Sequence, residues 1–135
     1  MGARKRLKAQ ERKEANKHKA FASLNNCPTS PRKMRLVVDL IRGKDVNKAL
    51  DILHFTQKEA AKRVEKLLLS AVSNWQNKNQ GARIEEAGLY VKEAYVDSAR
   101  MMKRLRPAPQ GRAYRIRKRS NHVTIVLGNL NTTEN

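Results

Sequence analysis

Apolar residues first recur at helical spacing just past position 30. Met34, Val37, Val38 and Ile41 form an i, i+3, i+4, i+7 stripe, with Ser30 at the N-cap position, Pro31 suited to the first turn and Gly43 at the end. Val46, Ala49, Leu50 and Leu53 repeat the spacing in a shorter helix that Asp45 can cap. A third and longer stripe runs through Ala60, Ala61, Val64, Leu67, Leu68, Ala71 and Trp75, and Thr56-x-x-Glu59 reads as its capping box. Trp75, the only tryptophan, falls where an anchor at the end of the core is expected.

Past Gln80-Gly81 the pattern turns extended. Leu89, Tyr90, Val91, Tyr95 and Val96 suit a pleated surface, and a matching apolar run follows at Val123 to Leu127. The residues between them hold turn chemistry at Pro107-Ala108-Pro109-Gln110-Gly111, so the simplest geometry is one long antiparallel hairpin. Arms of roughly sixteen residues at about 3.3 Å per residue reach on the order of 50 Å, well beyond the ~13 Å radius of gyration of a 100-residue body. A short strand around residues 20 to 25 is expected to join the sheet. The fold class is therefore α+β, with three helices on a small antiparallel sheet and a protruding hairpin. Domain organisation follows as a basic N-terminal extension over 1–19, a single domain over 20–127 that includes the hairpin over 98–120, and a polar tail over 128–135.

Composition then narrows the function. The 135 residues carry 30 Lys and Arg against 12 Asp and Glu, a formal net charge of +18. That balance points to a polyanion. With aromatics at only 4%, platforms that stack bases are unexpected, which leaves recognition by charge and shape. No run approaches the roughly 20 apolar residues of a membrane span, and the basic N-terminus lacks the hydrophobic region of a secretory signal. The single Cys27 has no partner in the chain for a disulfide, in keeping with a reducing compartment. His18, His54 and His122 share no metal-ligand spacing, and no catalytic or phosphate-cradling motif occurs. Neither enzyme chemistry nor a cofactor is expected.

Charge is concentrated where the hairpin is expected. Residues 100 to 119 hold Arg100, Lys103, Arg104, Arg106, Arg112, Arg115, Arg117, Lys118 and Arg119 without one acid, half of the net charge in twenty residues. With the turn centred near Ala108, Arg104 would lie close to Arg112 and Arg100 would face Arg115 to Arg117. Like charges opposed across a ladder destabilise it, so the hairpin is expected to be loose until a polyanion surrounds it. Arg32, Lys33 and Arg35 stand in the first turn of a helix, where the dipole disfavours each cation by about 0.3 to 1 kcal/mol and a nearby anion would compensate. Two classes remain: a structural RNA-binding component, or a dimeric DNA-binding architectural protein with basic arms. Charge spread over tail, helix start and hairpin favours RNA that wraps the protein from several sides.

The blocks SPRKMRLVVDLIRGKDVNKALDIL, AAKRVEKLLLSAVSNWQN and LYVKEAYVDSARMMKRLRPAPQGRAYRIRKRSNHVTIVL closely resemble, in order, the bacterial L-twenty-two family of large-ribosomal-subunit proteins. The resemblance spans roughly residues 20 to 127. It implies a structural protein of the cytoplasmic large subunit that binds large-subunit ribosomal RNA, helps organise assembly and contacts neighbouring ribosomal proteins. The hairpin tip, carried over to Met102 through Arg112, would form part of the wall of the nascent-polypeptide tunnel, with Leu105, Arg106, Pro107, Ala108, Pro109, Gln110 and Gly111 facing the peptide. Changes at these positions are associated in the family with altered macrolide response. Where the family often reads Pro-Arg-Ala-Lys-Gly-Arg, this chain has Pro107-Ala108-Pro109-Gln110-Gly111-Arg112, without two of the cations, while Arg106 stands where many relatives are apolar. The extension over 1–19 is longer than in many bacterial relatives and is expected to bind surface RNA.

Overall fold

A computed structural model describes residues 3–80 and 82–130. The final five residues of the expected polar tail, and Gly81 of the expected helix-to-strand transition, lie outside that range. Elements follow the order α1 (Ala3–His18), β1 (Ala20–Cys27), α2 (Pro31–Ile41), α3 (Val46–Phe55), α4 (Glu59–Lys78), α5 (Ile84–Ala87), β2 (Leu89–Ser98), β3 (Met102–Pro107), β4 (Ala113–Lys118) and β5 (Asn121–Asn129).

The three expected amphipathic helices form, and each buries the stripe read from its sequence. Met34, Val37, Val38 and Ile41 of α2, Leu53 of α3, and Val64, Leu68 and Ala71 of α4 are all 0 or 1% exposed. They close over one face of a three-stranded antiparallel sheet of order β1-β5-β2, whose inner residues include Ala20, Ala22, Val91, Val96, Val123, Ile125 and Leu127. Trp75 is buried at the end of α4, as its place in the stripe suggests.

Two further helices go beyond the three that periodicity reveals. α5 is a single turn that ends at Gly88 in the left-handed region (φ 58°). α1 has no apolar stripe, and Leu7, 56% exposed, is its one large apolar side chain. A helix polar on every side leaves no packing signal in the sequence. Lys78 ties it to the body, its Nζ donating to the carbonyls of Asn16 (3.4 Å) and, just past the helix, Lys19 (2.6 Å).

The expected capping box does not form. Thr56 ends α3 instead, its hydroxyl donating to the Ile52 carbonyl at 2.6 Å, and α4 starts only at Glu59. One threonine cannot close the preceding helix with its side chain and also cap the next from three residues away.

The two sheet edges are treated differently. At β2, Arg42 donates through Nε and Nη2 to the Ala94 carbonyl (3.1 and 2.7 Å) and Arg35 through Nη2 to the Val96 carbonyl (3.2 Å). The Gly43 N–H donates to the Val91 carbonyl and the Val91 N–H to the Lys44 carbonyl, both at 2.9 Å. This edge is sealed by α2 and the segment after it, which prevents pairing with another chain. Bulges between Val91 and Glu93 and between Leu24 and Cys27 shift the inward alternation of β2 and β1.

Candidate nucleic-acid interface

The hairpin continues out of the sheet. β2 and β5 pair as far as Ser98 with Asn121, the Ala99 N–H donates to the Ser120 carbonyl at 2.9 Å, and β3 and β4 then pair from Met102 with Lys118 to Pro107 with Ala113. One extra residue on the outgoing side separates the two ladders, a bulge at the root. Residues 101 to 107 and 109 to 119 are exposed, and β3 and β4 pack chiefly on each other. From Ala99 to Pro109, ten steps at about 3.3 Å project the tip by ~33 Å. The rest of each arm belongs to the sheet.

The turn is not centred on Ala108. Ala108 is extended (φ −130°), whereas Gln110 (φ 62°, ψ 34°) and Gly111 (φ 69°) are both left-handed. The Arg112 N–H donates to the Pro109 carbonyl at 3.4 Å, and the Ala108 N–H donates to the Arg112 carbonyl at 2.9 Å. Two consecutive positive φ values make a type I′ turn, whose twist matches that of a hairpin. Pro109 cannot adopt a positive φ, so Gln110-Gly111 is the dipeptide that can turn here. Around Gly111 an added Cβ would meet nothing within 4 Å. Gly111→Val is therefore expected to cost the turn about 1 to 2 kcal/mol through its backbone alone, read as faster hydrogen exchange at the Ala108 amide.

Moving the centre changes the cross-strand partners. Arg104 faces Ile116 rather than Arg112, Leu105 faces Arg115, and Arg106 faces Tyr114. Arg100 lies before the ladder, nearer the level of Ser120 than of Arg115 to Arg117. Among the paired positions only Lys103 and Arg117 oppose like charges, so the ladder interleaves cations with apolar partners and escapes most of the expected repulsion. Strand alternation then puts Lys103, Arg115 and Arg117 on one face and Arg104, Arg106 and Lys118 on the other, three cations each.

α2 brings a second basic group to the hairpin root. The Asn121 side chain, fully buried at the start of β5, donates through Nδ2 to the Thr29 carbonyl (2.7 Å) and Thr29 Oγ1 (2.8 Å), which holds the lead-in of α2 against the hairpin. The Asn26 N–H donates to His122 Nδ1 at 3.0 Å beside it. Arg32 and Lys33 are exposed there, while Arg35 has its guanidinium on the Val96 carbonyl. The tip residues Leu105 to Gly111 stand at the far end of the projection, apart from this group. Sequence reasoning missed Asn121, since an isolated polar residue before an apolar run carries no pattern that marks it as buried.

The sequence profile of the family described as "Ribosomal protein L22p/L17e" matches residues 22–128, the body and hairpin together. This chain is a member of that family. It is 68% identical over 134 residues to the large ribosomal subunit protein uL22 of Flavobacterium johnsoniae, covering 99% of this chain and 98% of that protein. Similarity to the proteins of the same name from Porphyromonas gingivalis (62% over 135 residues, all of both chains) and Bacteroides fragilis (58% over 134 residues, 99% and 98%) is nearly as extensive. Alignments of that span include the N-terminal extension, which these L22p/L17e relatives therefore share. No helix among the described residues is long and apolar enough to cross a membrane.

Proposed function

We propose that the protein is a structural, non-catalytic constituent of the cytoplasmic large ribosomal subunit. It binds large-subunit ribosomal RNA, helps organise that RNA during assembly, and contributes the hairpin tip to the wall of the nascent-polypeptide tunnel. The observation that carries this reading is the projecting, exposed ladder with three cations on each face. Lys and Arg on both faces neutralise phosphate on both sides and release counterions, while contacts to shape and 2′-hydroxyl groups set the position. Arg100, Lys103, Arg104, Arg112, Arg115, Arg117, Lys118 and Arg119 serve the shaft, and Arg32, Lys33 and Arg35 the root. Leu105 to Gly111 present a comparatively apolar surface to the passing peptide. The exposed cations of α1, which surround that helix, hold surface RNA, and neighbouring ribosomal proteins complete the setting.

Sedimentation of the tagged protein from cell lysate tests the reading. Co-migration with the large subunit is the expected result, and absence from that fraction overturns the proposal.

A further inference from the structure

The second edge of the sheet is not sealed. The Phe21 carbonyl of β1 points away from β5, since it accepts from Asn74 Nδ2 at 3.0 Å. By strand alternation the N–H and C=O of Ser23, and of Asn25 before the bulge, point the same way. Neither residue's backbone has a partner on that side among the described residues. α4 runs beside this edge with Lys62, Lys66, Ser70 and Asn74 in one i, i+4 row. Four helical residues rise about 6.0 Å and two strand residues about 6.7 Å, so the two elements stay in step from the Asn74 contact onward. Ser70 falls at the level of Ser23, and Lys66 at that of Asn25.

Between strand and helix lies a groove of about 590 Å³, lined by Ser23, Leu24 and Leu67 and by Lys62, Lys66 and Ser70 of the helix row. Glu59 and Arg63 close its end as an ion pair at 3.0 Å. The hydrogen bond that Arg63 donates to Glu59, helped by the nearby Cys27, raises the Arg63 pKa. Lys62 and Lys66 have no acidic partner among the described residues.

We propose that this groove binds an extended acidic polypeptide segment as an added strand on β1. The unpaired backbone groups of Ser23 and Asn25 supply the ladder bonds, and Lys62 and Lys66 take carboxylates at alternate positions of the guest. Outward N–H and C=O groups repeating every second residue match the donor and acceptor pairs of a peptide backbone, whereas phosphate oxygens can only accept, which is why a polypeptide is favoured over RNA here. The surface lies on the body and does not depend on the ribosomal reading.

The test uses the full chain at 0.15 M salt, where charges beyond roughly 8 Å are screened. An acetylated heptapeptide of alternating Val and Glu is compared with its central-proline counterpart and with a uridine dodecamer. The expected result is at least tenfold slower hydrogen exchange at the Ser23 and Asn25 amides with the first peptide and no such slowing with the other two. The double variant Lys62→Glu, Lys66→Glu, whose side chains are exposed, should weaken peptide binding at least tenfold. Ser23→Pro, which removes only an outward N–H, should do the same. Unchanged exchange at saturating peptide, equal protection by the dodecamer, or wild-type affinity in the charge-reversed variant overturns the proposal.

Discussion

Replacing Arg115, Arg117 and Arg119 together with alanine is expected to lower incorporation into the large subunit sharply and to flatten the salt dependence of RNA binding. Arg115 and Arg117 are exposed on one face of the ladder, and Arg119 stands at its root. Each phosphate contact contributes roughly 0.7 to 0.9 to the slope of log affinity against log salt, so three lost contacts reduce it by about two to three. The fold should be unaffected, because none of the three packs on the body. Replacement of residues 106 to 110 is expected to leave incorporation largely intact and to change antibiotic response or nascent-chain behaviour. The two sets differ because the shaft carries five of the six ladder cations, whereas Arg106 is the one charged residue among those five tip positions. Equal assembly defects from shaft and tip, measured as the ratio of protein in subunits to free protein, would contradict this division.

The second large effect lies in the body. Leu68 is 0% exposed in the middle of α4, where the helix meets both the sheet and its helical neighbours. Leu68→Ala removes buried methyl groups and leaves a cavity, at an expected cost of about 2 to 5 kcal/mol. Against a typical total of about 5 to 15 kcal/mol, that is a substantial fraction of the stability. Trp75, the only tryptophan and 4% exposed on the same helix, provides the fluorescence signal for a denaturant titration. Phe55→Ala is the control. Phe55 is 80% exposed at the end of α3, and its loss should stay within about 0.5 kcal/mol. A shift of similar size in both variants would show that Leu68 does not sit at a tightly packed point.

Residues that bury one face are the ones a sequence displays. Met34 through Ile41 and Ala60 through Trp75 recur at 3.6-residue spacing because each must reach the same core, and β2 and β5 are legible for the same reason. What packs on nothing leaves no such trace, and α1 formed where only a basic extension was visible. The capping box failed through competition: Thr56 satisfies the helix before it, a choice that depends on the loop between α3 and α4. Turn placement hinged on one dipeptide. Two prolines drew attention to Ala108, while the backbone requirement for two positive φ values selected Gln110-Gly111. That two-residue difference re-paired every cation of the hairpin. The basic residues of the interface were visible as a cluster, but their division between faces depends on register and could be seen only once the turn was located.

The equal division of cations between the two faces of the hairpin also bears on timing. A strut charged on one side could be laid onto RNA that had already folded, from any open direction. A strut charged on both has its partner on two opposite sides, and such a site closes only after the strut has arrived or admits it lengthwise through a gap. Under the ribosomal reading, the RNA around β3 and β4 therefore either closes after their arrival or keeps a lengthwise channel open for them, and which of the two holds would show in whether that RNA compacts around a chain lacking residues 102 to 118.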